Sequence, residues 1–228
     1  MEMKKMAEKQ IFKVVMKDIQ NIKKILYEKE LILEEKGESV KEIAKNSYNI
    51  TWNEKSPKSN IIYDNNIGID FIMRELLVNR QYSILLYDRS IIQFEFIINN
   101  NEITKQRMLF IKKHNKILDK NQIISISSEQ DTDFFDYFFE KNGIPTMIRI
   151  DYDKENSKDC VHPTSHLTIS NNEICRIPIK SLMSCTKFVL MILNNFYNIE
   201  VESKYDNITY IEETITQKEK NMVHLNWN

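Results

Sequence analysis

Glycine and proline are scarce in this chain, 3 and 4 of 228 residues. Turns must then fall mostly to asparagine and aspartate, which tolerate left-handed backbone angles better than other non-glycine residues. Cysteine is nearly absent too. Cys160, Cys175 and Cys185 are odd in number and lack Cys-x-x-Cys spacing, which argues against a disulfide framework or a zinc knuckle and fits free thiols in a reducing compartment. No apolar run approaches the roughly 20 residues that a membrane span requires. Residues 1–24 carry spaced apolar side chains among lysines instead of the continuous apolar core of a secretory leader. The expectation is a cytoplasmic protein with no membrane partner. An excess of either charge is likewise missing, since 32 basic and 33 acidic residues leave a net charge of -1. There is no global basic field, so any contact with nucleic acid has to come from a local patch.

What is present, 42% hydrophobic and 29% charged residues, suits an ordinary globular chain with one sizeable core. Over residues 2–35 the apolar side chains Ile11, Val15, Ile19, Ile22, Leu26 and Leu33 fall at helical spacing along one stripe. Gly37 is a natural stop, and a shorter helix is expected up to Lys45. Such a helix either covers the sheet of its own domain or serves as an arm for self-association or a partner protein. A single stripe favours the first use.

Residues 49–64 read as a loop around Ser56-Pro57. A helix is expected from residue 67 or 69 to 78, with Phe71, Ile72, Leu76 and Leu77 on its apolar face. The clearest β signal follows. Residues 82–87 and 91–98 are strands about an Asp88-Arg89 turn, the second alternating Ile92, Phe94, Phe96 and Ile98 against Gln93 and Glu95. Asn99, Asn100 and Asn101 close a hairpin onto a third strand over 103–112. Residues 131–141, with Phe134, Phe135, Phe138 and Phe139, suit a short helix pinning aromatic rings on the sheet, and a fourth strand starts at Thr146. An apolar helix over 184–198 and a closing strand over 222–227, with Val223, Leu225 and Trp227 on one face, complete the pattern. The expected fold is α+β, an antiparallel sheet meander packed by helices, with a helical arm over 1–48 and a core domain over 61–228.

Residues 147–197 gather most of the side chains able to do chemistry. On a strand, Arg149, Asp151 and Asp153 share a face opposite Ile148, Ile150 and Tyr152. If residues 162–168 are extended, His162, Thr164, His166 and Thr168 likewise share one face, against Ser165 and Leu167. Three chemistries fit. In one, His162 and His166 form an acid–base pair, with Ser165 nearby, while Arg149 and Arg176 clamp a phosphate, as in metal-independent phosphodiester cleavage. In another, Asp151 and Asp153 join the histidines as ligands of a divalent metal that activates water. In the third, Cys175 is a nucleophile, although its place in the apolar run Ile174-Cys175-Arg176-Ile177 suits an inert thiol. The competing structural reading has Arg176 pair with Asp151 or Asp153 as a lock between strands. Histidines enclosed and bonded to main-chain carbonyls would favour that lock, and histidines lining an open cleft would favour an enzyme.

The segments 82–94, Arg107-Met-Leu-Phe, Ile150-Asp-Tyr-Asp, His162-Pro-Thr-Ser-His-Leu-Thr-Ile, Cys175-Arg-Ile-Pro-Ile, Asn195-Phe-Tyr and His224-Leu-Asn-Trp resemble the uncharacterised bacterial family known as domain of unknown function 2290. The resemblance implies a prokaryotic cytoplasmic protein of a kind often carried on mobile or defence-related islands, and no particular activity. The motif positions it implies are Asp151, His162, Ser165, His166, Arg176 and Tyr197, the last a substrate-binding candidate. Where the family pattern tends to Asp-Gly-Ser, this chain has Asp88-Arg89-Ser90.

Overall fold

The alternation over residues 91–98 gives its strand two unlike faces, and both are used. In the computed structural model, which describes residues 10–115, 132–172, 174–201 and 213–226, the chain opens with α1 (Gln10–Glu28), β1 (Ile32–Glu35) and the hairpin of β2 (Glu38–Ala44) and β3 (Ser47–Trp52). A 3-10 helix (Pro57–Tyr63) and α2 (Ile69–Val78) lead into β4 (Ile84–Leu86), β5 (Ile91–Asn99) and β6 (Glu102–Lys112). After α3 (Thr132–Phe138) come β7 (Thr146–Asp153), β8 (Ser165–Ile169) and β9 (Ile177–Pro178), then α4 (Cys185–Phe196) and α5 (Gln217–Lys220).

The described strands form one antiparallel sheet in the order β1-β4-β5-β6-β7-β8-β9, with β3 alongside the far half of β5 and β2 outside β3. The fold class is therefore α+β, built on an antiparallel meander. On one face Ile92, Phe94, Phe96, Met108, Phe110 and Ile150 meet Val15, Ile19, Ile22 and Leu26 of α1 and Phe188, Val189 and Ile192 of α4. On the other, Ile91, Leu109, Ile111 and Met147 meet Ile62, Ile72, Leu76 and Leu77 above them and Phe135, Phe138 and Phe139 beside them. Helices thus cover both faces of a sheet whose strands bury apolar side chains on each.

Several expectations need correction. The long helix ends at Glu28 and not near Gly37, because Glu30 turns left-handed at φ 51. Leu31 N–H then donates to Leu26 O and Glu30 N–H to Tyr27 O, a Schellman stop closed by the buried Leu31. The segment expected as a second short helix is strand β2, and the first quarter of the expected loop, residues 49–52, belongs to strand β3. Pairing of Tyr48 and Ile50 with β5 overrides the helical preference of this lysine- and glutamate-rich stretch. Phe71 is half exposed on α2, and Met73 takes its place in the core. Cys175 lies outside any strand, since β9 begins at Ile177. Of the expected closing strand only Leu225 pairs, with Ile179, while Val223 is exposed and Trp227 lies outside the described residues.

The apolar stripe of α1 is buried against the sheet, and one polar contact fastens it there. Asp18, fully buried, accepts from Cys185 N–H at 2.7 Å, Thr186 N–H at 3.1 Å and the Thr186 hydroxyl. Those are the first amides of α4, so a carboxylate from α1 satisfies donors that the helix itself leaves open. Burial, with Asp18 beside it, pushes the Cys185 thiol well above its ordinary value. Among the described residues Asn46, Asn100, Asn101 and Asn198 take positive φ, but so do Glu30, Glu54, Arg80, Arg89, Cys160 and Ser170, and no aspartate does, so the left-handed turns fall less to asparagine and aspartate than expected. Arg89 stands at φ 64, its guanidinium 5.8 Å from the Phe138 ring centroid.

Candidate functional site

One face of the sheet changes character along its strands. Under α2 and α3 it is apolar, and beyond them it becomes polar through side chains of the same parity. Glu95 on β5 is paired across the sheet with Arg107 on β6, Arg107 with Asp151 on β7, and Asp151 with His166 on β8. Four adjacent strands thus contribute one lateral row, and opposite charges stand next to each other within it. The neighbouring rows add Lys105 beside Asp153, and Arg149 beside Thr168.

The loop after β3 and the 3-10 helix wall this floor on one side with Lys55, Asn60 and Tyr63, and His162 and Arg176 close the other. The result is a cleft of about 340 Å³. Its lining holds five cationic side chains, Lys55, Lys105, Arg107, Arg149 and Arg176, against three carboxylates, Glu95, Asp151 and Asp153. A chain with net charge -1 therefore concentrates positive charge in one hollow.

Most of these charges are tied to one another. Arg149 Nε donates to Asp151 Oδ2 at 2.6 Å, and its Nη1 reaches Ile62 O at 3.3 Å. Arg107, nearly enclosed, donates from Nη1 to the Tyr63 hydroxyl at 2.6 Å and lies 2.7 Å from Glu95 through Nη2. Lys55 pairs with Glu95 as well. Burial lowers the Lys55 pKa, and Arg107 adds to that, more than Glu95 restores it. Asp153 accepts from Asn156 and sits 3.2 Å from Lys105. Burial raises its pKa, but the Asn156 donors and Lys105 outweigh that and hold it below the ordinary carboxylate range. Arg176 is different. It pairs with neither aspartate, and its buried Nε has no hydrogen-bond partner among the described residues. The expected lock of Arg176 on Asp151 is replaced by the Arg149–Asp151 pair.

The two imidazoles lie together, ring centroids 4.9 Å apart. His166 Nδ1 is 2.8 Å from Pro163 O, and His162 Nδ1 is 2.8 Å from Asn156 O. A carbonyl can only accept, so Nδ1 carries the proton in each ring and Nε2 is left as the working nitrogen. His166 Nε2 stands 3.7 Å from Asp151 Oδ2, too far for a hydrogen bond. Burial lowers the His166 pKa below 6.5, and His162 and Arg176 push the same way against Asp151 and the Pro163 carbonyl. The structure divides the two outcomes weighed from sequence. Both histidines line the cleft, yet His166 is 2% exposed and both rings are held by main-chain carbonyls.

Ser165, Tyr197 and Cys175 are not among the residues that line the cleft. Ser165 points to the other face of β8 and donates to Ser181 O at 3.2 Å. Tyr197 ends α4 and donates to Asp88 at 2.9 Å, beside Lys112. Its pKa is raised well above the ordinary value by burial and then by Asp88. Among the described residues no three histidine, cysteine or carboxylate side chains come together as a metal-holding group.

A family profile described as an uncharacterised conserved protein, DUF2290, matches residues 31–227. The chain belongs to this family. No curated protein and no solved structure matches it. In this DUF2290 chain the profile takes in every side chain of the cleft, while the fold also uses α1, which lies before the matched residues.

Sequence reasoning missed Lys55, Asn60, Tyr63, Glu95, Lys105 and Arg107. Glu95 and Arg107 carried a signal, since each is a charge on the strand face opposite the apolar alternation of β5 and β6. Nothing local marks Lys55 or Tyr63, which reach the DUF2290 cleft from the loop after β3 and from the end of the 3-10 helix.

Proposed function

We propose that this protein cleaves a phosphodiester of a nucleotide or nucleic acid in the cleft, with His166 as general base and His162 as general acid. The observation that carries the reading is the pair of adjacent imidazoles, centroids 4.9 Å apart and tilted by 58°, each fixed through Nδ1 and offering Nε2 beside a surplus of arginine. His166, kept neutral by burial, accepts the proton of the attacking hydroxyl or water as its oxygen bonds to phosphorus. The bond from phosphorus to the leaving oxygen breaks, and that oxygen takes a proton from the His162 imidazolium. Arg149 and Arg176 hold the non-bridging oxygens, and Arg176 is the guanidinium that other partners leave most available. Asp151 orients Arg149 and keeps a negative charge near His166. A divalent ion on Asp151 and Asp153 is a weaker version of the same chemistry, because both carboxylates are already engaged by Arg149, Lys105 and Asn156.

The competing reading is a non-catalytic subunit that binds a partner through α1. The stripe that suggested it is buried against the sheet and α4 within the same chain, which leaves little apolar surface on α1 for a partner. A place in a defence system rests on the family resemblance alone.

The test is hydrolysis of bis-p-nitrophenyl phosphate and of a 2′,3′-cyclic nucleotide by the intact chain and by His166→Ala and His162→Ala. Removing a general acid or base is expected to lower kcat by about 10²–10⁴-fold with the fold unchanged by circular dichroism. Activity of a folded His166→Ala within threefold of wild type would overturn the assignment.

A further inference from the structure

The cleft has two ends of different chemistry. At one are His162, His166 and Arg176. At the other is the Tyr63 ring, 45% exposed although it stands over a charged floor. The Arg149 guanidinium carbon is 4.9 Å from the ring centroid and that of Arg107 5.3 Å, both rising from strands beneath it, and the Tyr63 hydroxyl is held by Arg107. Two cations and a hydrogen bond therefore fix the orientation of an aromatic ring whose outer surface meets solvent. An apolar ring held rigid above a polar cleft is a stacking platform, since every base presents a π face to it. A single ion pair, Arg149–Asp151, separates this ring from His166.

Size and charge limit the ligand further. A hollow of about 340 Å³ lies at the small end of the range for small-molecule sites, about 300–1,000 Å³. A polymer track would need a run of basic side chains leading away from it, and the chain as a whole carries a net charge of -1.

We infer that the cleft recognises a single nucleotide unit, its base stacked on the outer face of Tyr63 and its phosphate between Arg176 and the two histidines. The inference rests on the phosphodiester reading for its phosphate end and adds the base-binding end. Asn60, on the same rim, is placed to meet the polar edge of the base.

The experiment measures equilibrium binding to the full chain by calorimetry, with adenosine 5′-monophosphate, uridine 5′-monophosphate, adenosine, inorganic phosphate and a labelled 20-nucleotide single-stranded RNA, between 50 and 300 mM salt. Tyr63→Ala and Tyr63→Phe are measured in parallel. A mononucleotide is expected to bind at least fivefold tighter than inorganic phosphate or adenosine. Tyr63→Ala should remove roughly 5- to 150-fold of mononucleotide affinity, and Tyr63→Phe should retain most of it because the ring remains. The slope of log K against log salt should be about -1 to -2, as for one or two phosphate contacts. Equal binding of phosphate and mononucleotide, or a preference that survives in folded Tyr63→Ala, overturns the inference. So does much tighter binding of the 20-mer with a slope of about -5 or steeper. Failure of every probe to bind also overturns it. Persisting hydrolysis that depends on His166 in any of these cases shows that the phosphodiester reading stands without it.

Discussion

Replacing Asp18 with alanine tests whether the first helix is part of the folding unit. The carboxylate has no solvent exposure and accepts from two main-chain amides and one hydroxyl at the start of α4. Hydrogen bonds to a charged group contribute roughly 1.5–3 kcal/mol each, and amides left buried without an acceptor cost ~1–3 kcal/mol each. Relaxation and some water entry recover part of this, so the expected loss is about 3–5 kcal/mol. That is a large share of the ~5–15 kcal/mol by which domains are usually stable. Urea unfolding followed by tryptophan fluorescence should show a lower midpoint at an unchanged m-value. Asp18→Asn keeps the shape and one acceptor oxygen, and should fall between the two. The same logic applies to deleting residues 1–30. Val15, Ile19, Ile22, Ile25 and Leu26 are fully buried, and at ~1.5–3 kcal/mol each they contribute on the order of 10 kcal/mol. The truncated chain should not unfold cooperatively. A loss below about 1 kcal/mol for Asp18→Ala, or a truncated chain that melts like the intact one, would refute this account of α1 and restore it as a separable arm.

Two further outcomes follow from groups on either side of the sheet. His166 has a folded pKa below its unfolded value of 6.5, so between those values the unfolded chain binds a proton that the native chain does not. Stability should be complete above 6.5, fall as the pH drops through it, and level off below the folded value; urea midpoints from pH 7.5 to 5 should show this in wild type and flatten in His166→Asn, and parallel curves would contradict it. Tyr197→Phe removes a hydrogen bond to Asp88 in a buried setting and should cost about 1–3 kcal/mol while hydrolysis is unchanged, because Tyr197 lies outside the cleft; a fall in kcat without a fall in stability would return it to the site.

Much of the fold was legible in local pattern. The two-residue alternation of 91–98, the asparagine triplet and the aromatic run near 135 each specify an element by side-chain geometry alone, and each forms where expected. Parity alone placed Arg149, Asp151 and Asp153 on one face. Residues 38–45 were misread because their composition favours helix, and residues 49–52 because they run into the Ser56-Pro57 loop, whereas the strand that pairs with β3, the far half of β5, is distant in sequence. The site was half legible for the same reason.

Residue order by itself determined the α+β class, the strand faces and the segment in which chemistry gathers, because those depend on periods of two and 3.6 residues that a sequence displays directly. Only the tertiary structure decided that Glu95, Arg107, Asp151 and His166 stand in one row, that Tyr63 rises over it, and that Ser165 and Tyr197 stay outside. Cross-strand register joins residues through pairings that no local period encodes, and a one-residue slip would turn each of these side chains to the opposite face.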